Sequence, residues 1–370
     1  MDWKFLVERK LSLLFDEFIT QGQIKKVMKE KLDANFGFDN YRAIEWKVAY
    51  ILKEIEEANR IVKEFYLKQG AGFLKSLIDK WELFINELEK ISLGISKKDY
   101  SNISKEKLID ELNKLKRAYK NISTALYAPI VIEDLSDEVI KERIRLYKPG
   151  KVGEYFNILT TSEKENEGTK ELRSMLKMAI KLKKGRDIVT DVKKHIKEFG
   201  WINTRGFFGD VWSEEEIFER INSMLKENLI NRLNELDKYA EKVKKDTKEV
   251  LSEIKADKGF RDFIDITKKY VYFRTHRMDV FVKYGFLARP LFKGIARRIN
   301  LDLEELWYLF SNEIEQAIID KKDFSKVIEA RRKGFGFIRS QEKVVALTGK
   351  ELEKYKEEHM KEQINKDITE

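Results

Sequence analysis

The chain has 370 residues, of which 42% are hydrophobic, enough for two or three packed lobes and too many for global disorder. It has no cysteine, which removes any disulfide framework, and only three prolines, which disfavours a many-stranded sandwich or barrel. A net charge of +9 could point to nucleic acid, but the signs are interleaved as on solvated helix faces, so nucleic-acid binding is not favoured.

In chain order, residues 1–33 read as one or two helices, with Phe5, Leu6, Leu11, Leu14, Phe15 and Phe18 at helical spacing up to a break at Gln21-Gly22-Gln23. Asn35 to Asn40 is turn chemistry. Helical periodicity returns from Tyr41 to about Leu67 through Ile44, Val48, Ile51, Leu52, Ile55 and Val62. After a break at Gln69–Gly72, Leu74, Leu77, Ile78, Trp81, Ile85 and Leu88 mark another amphipathic helix. Ser104 is placed to cap a helix reaching about Ala128, and Ser136 one over 137–147. Residues 148–169, with Pro149-Gly150 and a polar run at 162–168, read as a flexible excursion.

A basic helix is expected over 170–199, followed by an irregular interval from Gly200 to Trp212. That interval ends in a capping box, Ser213 with Glu216, opening a long helix that could continue to Ile254. Further helices are expected over about 260–284, 290–299 and 306–319. Gly334–Arg339 and Lys343–Leu347 predict a short hairpin, the β-structure expected in an otherwise all-α fold, and Thr348 a cap for a polar terminal helix. The division anticipated is 1–147, a helical lobe; 148–169, the excursion; 170–333, a long-helix lobe; and 334–370, the hairpin and terminal helix. No repeat of 20–50 residues is present.

No P-loop, Gly-x-Gly-x-x-Gly, Gly-x-Ser-x-Gly or His-Glu-x-x-His occurs, and the three histidines are far apart. No metal site, no catalytic residue and no complete active site is therefore expected. The N-terminal ten residues carry charge in every turn, unlike a signal peptide, and no stretch is apolar enough for a membrane span, so a cytoplasmic location and no membrane partner are expected.

Two segments stand out. Glu198 to Trp212 spends five aromatics and an arginine on a loop, either to plug a gap between helices or to wall a pocket in which Trp201, Phe207 and Trp212 meet an apolar ligand and Arg205 an anion. Phe273 to Asp279 places Arg274 and Arg277 one turn apart on a face shared with Phe281 and Tyr284, suited to clamp a phosphate or carboxylate unless it pairs with acidic neighbours. The basic clusters Arg297-Arg298 and Arg331-Arg332-Lys333 read as helix-end charges.

The run Glu198-Phe199-Gly200-Trp201-Ile202-Asn203-Thr204-Arg205, the following aromatic-Gly-Asp stretch and Trp212-Ser213-Glu214-Glu215 resemble the helical region of phosphoenolpyruvate-synthase-like, PEP-utilising phosphotransferases. So do Arg274 to Arg277, Ile295 to Ile299 and Leu301-Asp302-Leu303-Glu304-Glu305-Leu306-Trp307-Tyr308-Leu309. Rifampicin phosphotransferase and phenylphosphate synthase belong to that family. The resemblance implies a substrate-binding module that presents a small-molecule acceptor to a phosphohistidine on a swivelling domain, with Arg205, Arg274, Arg277, Trp201, Phe207, Trp212 and Tyr284 near the acceptor. ATP and Mg would act only on an ATP-grasp domain. That domain and the phosphohistidine domain are absent here, so the chain is either a piece of a longer protein or receives them in trans. His359 does not match the phosphohistidine motif. A non-catalytic helical interaction scaffold is the alternative.

Overall fold

In the computed structural model, residues 2–204 and 207–359 are described, those at 128–131 by their backbone only. The fold is mainly α-helical, around a five-stranded antiparallel sheet of order β1-β3-β2-β4-β5. Its first strand, β1 (Trp3–Glu8), replaces the start of the helix expected there. Helix α1 (Leu13–Thr20) is capped by Ser12 and buried throughout. A 3-10 turn at Gln21–Gln23 leads to α2 (Lys25–Leu32). The turn needs Gly22: a Cβ there would lie 2.1 Å from the Lys120 carbonyl oxygen.

The hairpin β2 (Asn40–Ile44) and β3 (Lys47–Ile51) was expected as helix. Both strands are buried on two faces, so the period-two alternation that betrays a half-exposed strand is missing. One face meets α1, where Tyr41 donates to Asp16 at 2.8 Å. The turn itself, Glu45-Trp46, has both residues at positive φ (51° and 68°), the geometry of a two-residue hairpin without the usual Asn-Gly.

Helices α3 (Leu52–Gln69), α4 (Gly72–Ser96) and α5 (Lys105–Ile122) follow, the last capped by Ser104 as expected. Helix α6 (Ala128–Tyr147) runs straight through Ser136, which is buried beside Thr267 rather than capping. Within 148–169 a short helix, α7 (Val152–Thr160), buries Tyr155 and Leu159. The expected helix over 170–199 is two, α8 (Glu167–Lys183) and α9 (Val189–Phe199), parted at Gly185 with φ of 71°. The long helix after the Ser213 box is likewise two, α10 (Glu214–Met224) and α11 (Leu229–Glu253).

The longest element, α12 (Lys258–Leu287), begins at the Asp257 cap and is followed by α13 (Arg289–Arg298). Then come α14 (Leu303–Leu306) and α15 (Ser311–Ile319), where a single helix was expected over 306–319, and α16 (Ser325–Arg332). The predicted hairpin is present as β4 (Gly336–Ser340) and β5 (Lys343–Leu347), with β4 paired to β2. Helix α17 (Gly349–His359) covers the second sheet face: Leu352 is so close that a Cβ on Gly336 would lie 2.8 Å from it, and the His359 carbonyl accepts from the buried Arg42.

Buried apolar side chains form two clusters. The larger joins α1, the sheet, α3 to α7 and α12 to α16; the smaller joins α8, α9, α10 and the start of α11. No helix among the described residues is long and apolar enough to cross a membrane.

Candidate functional site

Three segments that are distant in sequence converge on one cavity of about 820 Å³. The chain leaving β1 supplies Glu8, Arg9, Lys10 and Leu11; the Arg9 N–H donates to the Trp46 carbonyl at 2.7 Å, fixing this exit beside the β2–β3 turn. A register shift between Phe5 and Val7 re-aims the end of the strand, as bulges do. Helix α12 supplies Arg274, Thr275, Arg277, Met278, Asp279 and Val282. The interval after α9 supplies Trp201, Ile202, Phe208 and Gly209.

That interval is tightly pinned. Gly200–Asn203 form a 3-10 turn, the Trp201 indole donates to the Glu198 carbonyl at 2.9 Å, and Thr204 Oγ1 donates back to the Trp201 carbonyl at 2.8 Å. Asn203 donates to the Asp210 carbonyl at 2.9 Å and Arg289 to that of Gly209 at 2.7 Å. The described residues on either side of 205–206 are therefore held in place, Trp201 and Ile202 on one side and Phe208 and Gly209 on the other.

The candidate residues divide accordingly. Trp201, Arg274 and Arg277 line the cavity together. Phe207 does not: it is inserted in the core, 4.7 Å from the Phe15 ring and 5.1 Å from Trp307. Its ring also explains Gly285 in the last turn of α12, where a Cβ would lie 2.1 Å from Phe207 Cε1. Trp212 packs on the smaller cluster with the Arg220 guanidinium 4.3 Å over its ring. Tyr284 is buried away from the cavity, and burial, with Glu89 adding to it, pushes its hydroxyl well above the ordinary tyrosine range. Arg205 lies outside the described residues. Phe281, expected on the Arg274 face, is fully buried against Tyr119.

The cavity also gathers Arg9 and Lys10, which the sequence hid in a segment read as helix. A cation beside an aromatic run would have been the signal only once β1 was known to end there. The Lys10 ammonium lies 5.4 Å from the centre of the Phe208 ring and 5.9 Å from that of Trp46, a cation–π arrangement at the rim. Four cationic and two acidic side chains line the space, so its field favours an anion. Arg277 shows the crowding: burial, then Arg9 and Arg274, push its guanidinium down to about 9, and it still carries its charge at neutral pH. Arg277 Nε donates to the Leu126 carbonyl at 3.0 Å, while Nη1 is shielded from solvent and has no hydrogen-bond partner among the described residues. Arg274 is 64% exposed and stands 3.6 Å from Glu133.

Neighbouring His276, stacked on Tyr272 at 5.0 Å, does not line the cavity; burial pushes its imidazole down to about 4. Among the described residues no group of three or more His, Cys, Asp or Glu side chains is arranged to hold a metal ion.

No family model matches the chain. Over 187 residues, 46% of this chain, it is 25% identical to the uncharacterized phosphotransferase YvkC of Bacillus subtilis (strain 168). The alignment takes in 22% of that relative, so the chain spans about a fifth of the length of the curated protein it matches.

Proposed function

We propose that this chain is the substrate-binding module of a phosphoenolpyruvate-synthase-like phosphotransferase. On this reading the cavity holds a small, partly apolar acceptor and presents it to a phosphohistidine carried by another domain, in cis or in trans. The carrying observation is the cavity's mixed wall: Arg9, Lys10, Arg274 and Arg277 beside Trp201, Ile202, Phe208, Met278 and Val282. Phosphoryl transfer asks little covalent chemistry of the protein; it asks for positioning and for cations where charge spreads over the phosphoryl oxygens. Exposed cations at the rim suit that second task, and the pinned aromatic loop suits the first. ATP and its magnesium would act on the other domain. The 25% identity to a phosphotransferase supports the same reading.

The test is ligand binding. Wild-type chain and Arg274→Ala would be titrated with inorganic phosphate, phosphoenolpyruvate, pyruvate and a panel of phenolic and macrocyclic acceptors, followed by thermal shift. Stabilisation by an acceptor, weakened in a Trp201→Leu variant, is expected, as is a phosphate response weakened in Arg274→Ala. No response from folded protein to any ligand would sink the reading and leave a non-catalytic helical interaction scaffold.

A further inference from the structure

We infer that the cavity's ligand carries an anionic group of its own, a carboxylate or phosphate ester at the end of an apolar body, and that Arg277 receives it. This rests on the proposed acceptor-binding reading and narrows the acceptor to an organic anion that also bears the phosphoryl-accepting group.

The argument is one of depth. Arg9, Lys10 and Arg274 are exposed, so a phosphoryl group arriving on another domain can meet them from outside. Arg277 is set back: it lines the cavity, its Nε is tied to the Leu126 carbonyl, and its Nη1 is shielded. As a residue it is partly exposed, less so than Arg9, Lys10 and Arg274. Yet it is the cation with most to gain from an anion, since it sits among like charges in a partly desolvated place and Asp279 and Glu8 leave the lining two charges positive. A planar guanidinium fixed at one nitrogen is a pre-set donor for a carboxylate or phosphate oxygen. Trp201, Ile202 and Met278 then offer apolar surface to the body of the same molecule.

The experiment compares two probes of one shape, 3-phenylpropionate and 3-phenylpropan-1-ol. The reporter is the Trp201 indole N–H resonance of the whole chain, assigned by its loss in Trp201→Phe. The acid is expected to bind at least about tenfold more tightly than the alcohol. Arg277→Met should abolish that preference and leave weak binding of the alcohol, Arg277→Lys should keep part of it, and Arg274→Ala should change it less than about twofold. The preference in wild type should also fall less than about threefold between 50 and 300 mM salt, because a recessed pair is poorly screened. Should Arg277→Met fail to fold, the Lys variant and the salt series still decide. Equal binding of acid and alcohol would overturn the inference and leave the acceptor-binding reading standing. A preference that depends on Arg274, or collapses with salt, would move the anion to the rim and overturn it too. Binding of neither probe would count against both.

Discussion

Tyr41 on β2 donates its hydroxyl to the Asp16 carboxylate on α1 at 2.8 Å, in a part of the core where both side chains are fully buried. Burial pushes the Asp16 carboxyl up to about 7, the Tyr41 hydrogen bond only partly offsetting it. Tyr50 and the Arg339 guanidinium act on the same Tyr41 hydroxyl from β3 and β4.

The sign follows. A carboxyl whose folded pKa lies above its unfolded one holds its proton longer in the native state, so stability falls as pH rises from about 4 through about 7. Asp16→Asn should remove this slope and gain on wild type above pH 7, by an amount on the order of a few kcal/mol. Urea melts of both proteins at pH 4.5, 6 and 8 measure it. A difference that does not change with pH would refute the assignment.

Gly285 and Gly94 should respond oppositely to alanine. Both lie in helices, where the exchange alone gains about 1 kcal/mol. At Gly94 no atom lies within 4 Å of the added methyl, so Gly94→Ala should stabilise slightly. At Gly285 Phe207 and Tyr119 stand in the way, and overpacking should cost about 2 kcal/mol net. Thermal denaturation of the two variants separates the cases.

Arg331 grips Glu313 through two nitrogens, at 2.6 and 2.9 Å, and also donates to the Tyr308 carbonyl at 2.8 Å. With the arginine only 8% exposed, Arg331→Leu strands the carboxylate and should cost about 3 kcal/mol. Adding Glu313→Leu should recover part of that loss. A double variant no better than the single one would show that the carbonyl contact, rather than the ion pair, carries the cost.

His276 should remain neutral across the physiological range, because burial holds it near 4. Its imidazole C–H resonance, assigned with His276→Gln, should not move between pH 6 and 8. A midpoint near 6.5 would mean that solvent reaches the ring.

What was legible in the sequence was what local chemistry determines. The caps at Ser104 and Ser213, the box at Asp302 and the β4–β5 hairpin needed only neighbours within a few residues. The N-terminal strands were hidden for the opposite reason. Strand β2 and the middle of β3 are buried on both faces, so their apolar positions satisfied a helical stripe by default. The break at 225–228 was masked by apolar periodicity that runs on across it through Leu225 and Leu229, whereas Gly185, set in a run of five residues with no apolar side chain, did carry a helix-end signal. At the site, Arg274, Arg277 and Trp201 came from segments with unusual composition. Arg9 and Lys10 look like ordinary surface charges until β1 is laid beside β3. Phe207 misled because aromatic loop residues serve a core as readily as a pocket.

The pairing of β2 with β4 puts Asn40 opposite Ser340. On a ribosome adding about 5–20 residues each second, β2 waits roughly 15–60 s for its partner to be made. Through that interval one edge of β2 has backbone groups to pair and nothing native to pair with, and the cavity wall built from the end of β1 leans on the same hairpin. Completion of the cavity's surroundings is thus timed by the emergence of β4, and newly made protein should need protection from edge-to-edge association for that long.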